Sequence, residues 1–384
     1  MTPELAEKAS ELTRGAKSDR DKVLAAYNYV SALRYVAIPL GVNSFRPHAA
    51  ANVLQNQFGD CKDKANLFNA LLHSLNIAAH LVLVPRFTQA HEDVPGLAFN
   101  HAISRVTLPD ETLWVDTTDD VCRFGMLPPG DAGRKVLVID GDAASLTQLP
   151  MPQARQHSLK LRGLVNCANS DEEPATRLSA VAQGYPDYEL RATAREAKEH
   201  GAAVPLLAAR FRQMAGSFAL EKQSSTSVSA LDEDFSWHAE GVCLGIRSPN
   251  PSSPSIPSTP SLRHPDSFGL LAPFWLPKEW DLALHHRLSA LFLNQGYPLL
   301  LDEEFEFSLP PKAKPAGLPD ARENKTEPLR WSIEWVRVGD DKLAARFRAE
   351  LVRGELSLAE TPMFQKQLRE LFAVLAAGAF WKSE

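Results

Sequence analysis

From residue 3 to residue 34 the apolar positions follow helical spacing in two pieces. In the second piece Val23, Ala26, Tyr27, Val30 and Leu33 share a face, with Ser18 and Asp19 placed to cap its start. Arg34 to Ile38 reads as a short strand, and Pro39, Gly41, Asn43 and Pro47 mark a loop after it. Ala49 to Gln57 is predicted as a short helix. The clearest pattern begins at Cys61, where Ala65, Phe68, Leu71, Leu72 and Leu75 line one apolar helix face. Asp60 suits the N-cap of that helix, and Asp63, three residues on, completes a capping box with Asp in place of Glu. Asn76 suits its stop.

Strand patterns follow. Ala79 to Val84 is nearly continuously apolar, and a loop runs on through Pro95 and Gly96. Asn100 to Leu108 and Thr112 to Thr118 alternate and read as two strands joined at Pro109-Asp110. Lys135 to Ile139 adds a strand before Asp140-Gly141. Beyond Pro150 the character changes: strand-like pieces at Leu159 to Val165 and Ser224 to Ala230 surround a helical stretch at Leu206 to Phe218. Ser248 to Pro260, dominated by Ser and Pro, reads as a linker or long loop. Leu299 to Leu309 and Trp331 to Val338 are strand-like, and Thr361-Pro362 opens a final helix with Phe364, Leu368, Leu371, Phe372 and Leu375 as its buried stripe. The apolar tail from Leu371 to Trp381 is read as helix as well. The predicted organisation is an α+β core at 1–150, a β-rich middle domain at 151–247, a linker at 248–267, and a β-rich domain with a final helix at 268–384.

The chain has 384 residues, which suits more than one core, and its 44% hydrophobic and 23% charged content is ordinary for a folded soluble protein. A net charge of -6 and scattered Lys and Arg argue against nucleic-acid binding. No apolar run is long enough to span a bilayer, and the first residues lack a signal-peptide layout, so the expected compartment is cytoplasmic, or periplasmic if the chain is a fragment of an exported protein. Cys61, Cys122, Cys167 and Cys243 form no CxxC pair or zinc-spaced cluster and read as free thiols. Without a Gly-rich phosphate loop or a metal motif, no cofactor and no metal are expected. His285-His286 has no supporting ligand pattern, and Trp275, Trp280, Trp331, Trp335 and Trp381 read as core or interface anchors.

Cys61 is the candidate nucleophile. A thiol in the first turn of a helix faces unpaired N–H groups and the positive end of the helix dipole, which favour thiolate. Asp60 and Asp63 oppose that effect unless Lys62, Lys64 or helix N–H groups engage their charge. A cysteine nucleophile needs a base. His101, at the start of a strand, is the candidate, although a lone strand histidine is more often satisfied by a backbone carbonyl. Asp116, in Trp114-Val115-Asp116, is placed to orient it. If Leu108 pairs with Leu113, however, His101 lies opposite residue 120, which leaves Asp119 and Asp120 as rivals.

Residues 20–150 resemble the transglutaminase-like core, in particular the branch found in bacterial multi-domain proteins. The residues that carry the likeness are Arg34-Tyr35-Val36, Phe45-Arg46-Pro47-His48, Phe58-Gly59-Asp60-Cys61-Lys62-Asp63-Lys64, Asn100-His101-Ala102-Ile103 and Trp114-Val115-Asp116. The resemblance implies a Cys61–His101–Asp116 triad, favours Asp116 over its rivals, and implies a papain-like helix packed on an antiparallel sheet. Thr117 stands where such proteins usually have Pro; such proteins usually carry a β domain before the core, while this sequence begins almost at the core, so a shortened relative or a fragment is expected. The implied activity is that of a cysteine-dependent peptidase or amide acyltransferase on a protein or peptide, with hydrolysis ahead of transfer. A catalytically inactive scaffold that binds a peptide or protein is the alternative. The Cys61 N–H and the Gln55 side chain are oxyanion candidates, though a solvated helix glutamine is the commoner use of Gln55, and His48 borders the same region. Oligomeric state has no signature in the chain.

Overall fold

The computed structural model describes residues 2–37, 46–90, 93, 96, 98–141, 143–169, 172–201, 205–248 and 267–382. Ile38, the loop positions Pro39, Gly41, Asn43 and Phe45, Pro95, and residues 249–260 of the Ser/Pro stretch lie outside them. The chain divides into two units, Met1–Pro152 and Gln153–Glu384.

In the first unit α1 (Pro3–Leu12) and α2 (Asp19–Ser31) form as the spacing predicts, with the Ser18 side chain accepting from the Asp21 N–H. Strand β1 is only Arg34–Tyr35, and it pairs in parallel with β2 (Phe58–Gly59), which follows α3 (Ala50–Asn56). Helix α4 (Cys61–Ser74) comes next. An antiparallel sheet is built from β3 (Ala78–Val84), β4 (His101–Thr107), β5 (Thr112–Val115), β6 (Lys135–Asp140) and β7 (Ala143–Gln148), in the order β5-β4-β3-β6-β7. Leu67, Phe68, Leu71 and Leu72 of α4 are fully buried and join Val23, Tyr27 and Val30 of α2 and Ala79 and Val106 of the sheet in one core. Each such large side chain contributes about 1.5–3 kcal/mol on burial. Val82, Val84, Ile103, Val136 and Val138 form a smaller core. The α4 helix therefore lies against the strand pair that carries His101.

The second unit centres on an eight-stranded sheet. Its strands are β8 (Ser158–Asn166), β9 (Ala175–Ala182), β10 (Ser217–Ser225), β11 (Phe235–Leu244), β12 (Leu299–Ser308), β13 (Arg322–Asn324), β14 (Leu329–Arg337) and β15 (Lys342–Leu351), in the order β10-β11-β9-β8-β12-β15-β14-β13. Segments 151–247 and 268–384, expected as two domains, thus share a single sheet, joined by the parallel pairing of β8 with β12. The packed helices are α5 (Tyr185–His200), α6 (Leu206–Arg210) and α7 (Thr361–Leu375).

Several local expectations shift. Helix α6 stops at Arg210, because Phe211–Gln213 pairs with Trp275–Pro277 as a strand. β10 begins at Ser217 and ends at Ser225, before the predicted Ala230. The tail is helical only to Leu375; Ala379–Lys382 pairs as a strand with Ser267–Leu270 and with Lys314–Gly317. Short apolar runs carry no period that separates strand from helix, and in each case strand pairing decided. Both α5 and β7 formed where neither was predicted.

Candidate active site

The site is organised by how α4 begins. Asp60 is extended (φ -90) and its side chain accepts from the Asp63 N–H at 3.2 Å, while the Asp60 N–H reaches back to Asp63 Oδ2 at 3.4 Å. The predicted capping box is formed. Gly59 makes room for it, since a Cβ there would sit 2.7 Å from the Asp63 Cβ. Asp63 is buried and also accepts the His48 backbone N–H at 2.8 Å, with His48 Nδ1 3.0 Å from its other oxygen. Asp60 is paired with the Lys62 ammonium. Lys64 serves neither acid: wholly buried, it donates to the Ser31 and Leu33 carbonyls at 3.1 and 2.9 Å and ties the end of α2 to α4. Burial pulls its ammonium down to about 8, against the pull of Asp116, Asp120 and Asp119. With both flanking carboxylates committed, Cys61 occupies the first residue of α4, partly accessible, at the positive end of the helix.

β4 presents the base. His101 pairs with Val84 at the end of β3, is 7% exposed, and has Nε2 2.7 Å from Asp116 Oδ2. The register resolves the rivalry among the acids. Val106 faces Leu113 and Thr107 faces Thr112, with the Leu108 N–H donating to the Glu111 carbonyl at 2.9 Å. The chain thus turns on Pro109-Asp110 alone, two residues tighter than a Leu108–Leu113 pairing, and β5 ends at Val115 rather than at Thr118. Asp116 leaves the ladder: its Oδ1 accepts from the Thr118 N–H and hydroxyl at 2.8 and 2.6 Å, which turns Oδ2 toward the imidazole. Asp119 instead accepts from the Val121 N–H at 3.0 Å.

With Nε2 committed to Asp116, Nδ1 is the nitrogen left free to serve Cys61, whose side chain also acts on the ring. Burial works against charge on His101, but the Asp116 carboxylate outweighs it; with Cys61 and Asp131 added, the ring is raised to about 10. Burial likewise opposes charge on Asp116, yet His101, Arg86 and Thr118 hold it well below the usual carboxylate range.

Two neighbours carried no sequence signal, and a third, Tyr35, entered only through the family likeness. Arg86, just past β3, donates Nε and Nη2 to Asp131 at 2.8 and 2.7 Å, and Nη2 also bonds Asp116 Oδ2. Asp131 lies in the turns between β5 and β6, where nothing in the local pattern marks it. The ligand atoms of His101, Asp116 and Asp131 lie within 4.8 Å of one another, but the Arg86 guanidinium already serves as the cation between the two carboxylates. Tyr35 pairs with Gly59 across β1 and β2, and its phenol is influenced by the backbone and the thiol of Cys61. Burial, then the charges of Cys61 and Asp60, push that phenol up to about 12. Gln55, by contrast, is exposed on α3 and makes no side-chain hydrogen bond among the described residues.

The family model of the transglutaminase-like superfamily matches residues 6–118. A crystal structure from Parabacteroides distasonis, described as that of a candidate protease, matches 99% of this chain at a TM-score of 0.54 and 12% identity. The present chain spans 55% of that one, about half its length. Calcium-bound LapG of Legionella pneumophila aligns with 37% of this chain and 87% of its own at 14% identity, and its TM-score of 0.24 is too low to carry an argument. No curated protein matches the chain. Residues 6–118 therefore form a transglutaminase-like core, and they contain Cys61, His101 and Asp116.

Proposed function

We propose that the first unit is a cysteine-dependent peptidase or amide acyltransferase, with Cys61 as nucleophile, His101 as acid and base, and Asp116 as the group that orients the imidazole. The observation that carries this reading is the buried 2.7 Å contact of His101 with Asp116, on a ring that Cys61, at a helix start, also influences. An imidazolium beside a thiol favours thiolate, and the α4 N-terminus adds to it.

In the proposed reaction the Cys61 sulfur attacks the carbonyl carbon of an amide, and a C–S bond forms as the carbonyl electrons move to oxygen. The Cys61 N–H and the Tyr35 hydroxyl lie together, so an oxyanion placed between them meets two donors. Tyr35 thus takes the role first considered for Gln55. His101 gives its proton to the leaving amine as the C–N bond breaks and a thioester remains. Water or a second amine then attacks, His101 accepts the incoming proton, and the released sulfur recovers it.

The test is a peptide mixture incubated with the full chain and with Cys61→Ser, read by mass spectrometry. Cleaved or amine-exchanged products that need Cys61 support the reading, and their ratio separates hydrolysis from transfer. Absence of a thioester or a product, with Cys61 no more reactive than a free thiol, would leave the non-catalytic binding scaffold.

A further inference from the structure

Asp116 Oδ2 is shared. It faces His101 Nε2 at 2.7 Å and is bonded by Arg86 Nη2 as well. Neither Asp116 nor Asp131 has exposed side-chain area, and Asp131 Oδ2 lies 4.0 Å from His101 Nε2. Arg86 is fixed at both ends. Its guanidinium makes a two-bond fork with Asp131 at 2.8 and 2.7 Å. Its backbone N–H donates to Asn100 Oδ1 at 2.8 Å, and Asn100 Nδ2 donates back to its carbonyl at 3.1 Å. Asn100 directly precedes the histidine, so a single residue ties Arg86 to the base along the chain.

We infer that Arg86 is a positioning residue that fixes the Asp116 carboxylate on the imidazole and limits how tightly that carboxylate holds the histidine proton. The inference rests on the catalytic reading of Cys61, His101 and Asp116. The groups around the ring are Cys61 on α4, Asp116 after β5, Asp131 before β6 and Arg86 after β3, while Lys64 and Tyr27 reach Asp116 electrostatically. Two buried carboxylates then face two cations, Arg86 and protonated His101. A cation on the acceptor oxygen weakens that oxygen's hold on a second proton donor. Without Arg86, two carboxylates would bear on the imidazole alone. A purely structural ion pair has no such consequence: its loss would open the site and return His101 toward an ordinary histidine.

The two roles therefore shift His101 in opposite directions. The experiment follows His101 by NMR titration and the rate of iodoacetamide alkylation at Cys61, in the full chain, with Cys61→Ser as the labelling control. In Arg86→Gln the His101 titration is expected to rise by at least about 1 pH unit as both carboxylates bear on the ring uncompensated, and alkylation near neutral pH to fall about 10²-fold as the paired ring shifts relative to Cys61. Arg86→Lys keeps the charge but loses the fork, so its titration should stay near that of the parent while the rate falls. An unchanged or lowered titration in Arg86→Gln, or an undiminished rate in Arg86→Lys, overturns the inference. If the parent Cys61 reacts no faster than a free thiol, the catalytic reading fails, and the His101 titration still decides the role of Arg86.

Discussion

Asp116 holds His101 through one oxygen and its own turn through the other. Oδ2 meets the ring at 2.7 Å, and Oδ1 accepts from the Thr118 N–H at 2.8 Å. Asp116→Asn keeps the shape but puts a neutral amide where the carboxylate stood. The imidazolium loses its main support, so the His101 titration should fall from about 10 toward the ordinary value. Any amide hydrolysis or transfer should drop about 10³- to 10⁴-fold, as when the acid of a nucleophile–base–acid triad is neutralised. Turnover and the His101 titration measured on one preparation check both; parent-like turnover would remove Asp116 from the mechanism.

The four cysteines should separate cleanly by labelling. Cys122, Cys167 and Cys243 are at most 1% exposed, and burial pushes the Cys167 thiol up and that of Cys243 up to about 11. Cys61 is partly accessible. One equivalent of iodoacetamide near neutral pH should modify Cys61 before the rest, and peptide mapping should find the label there. Equal labelling of all four in the folded chain would contradict this assignment.

The start of α4 should be sensitive to small changes on its polar side. Asp63→Ala would leave the Asp60 and His48 N–H groups without their acceptor, a loss of about 2–4 kcal/mol for a cap and a buried donor together. For a unit of this size that is about 5–10 °C in melting temperature. Gly59→Ala should destabilise by about 1–3 kcal/mol through overpacking, since the added methyl meets the Asp63 Cβ at 2.7 Å. Both should also slow Cys61 alkylation, because both displace the helix start. Thermal melts and labelling rates on each variant provide the check.

How much of this was legible in the chain depends on how local each feature is. The cap of α4, its buried face and the Ser18 cap of α2 follow from spacing within one turn, and the structure has them where the pattern put them. The facing of His101 and Asp116 depends on a hairpin two residues tighter than a Leu108–Leu113 pairing and on an Asx turn after Val115, neither of which spacing alone specifies. Only the family resemblance favoured Asp116. Arg86 and Asp131 stood outside every motif, because their partnership spans 45 residues and exists only once the sheet has formed. The second unit was least legible. Its central pairing joins β8 to β12 across the Ser/Pro stretch, and a parallel pairing of distant strands leaves no periodic trace in either.

Glu303 gives the second unit a pH signature of its own. It sits in the middle of β12, 1% exposed, with Oε2 accepting the Trp275 N–H at 2.9 Å and, among the described residues, no hydrogen bond to Oε1. Burial raises its carboxyl well above 4.5. A group with a raised folded value contributes its stability below the unfolded value and loses it as the pH climbs through the folded one. As the pH rises past 4.5, the unfolded chain releases this proton before the folded chain does, so Glu303 should lower stability progressively, by up to about 1.4 kcal/mol per pH unit. Glu303→Gln retains an oxygen for the Trp275 N–H and cannot ionise. Its unfolding free energy in urea should therefore fall less than that of the parent between pH 5 and pH 8. Parallel pH profiles for the two proteins would mean that Glu303 stays charged in the fold.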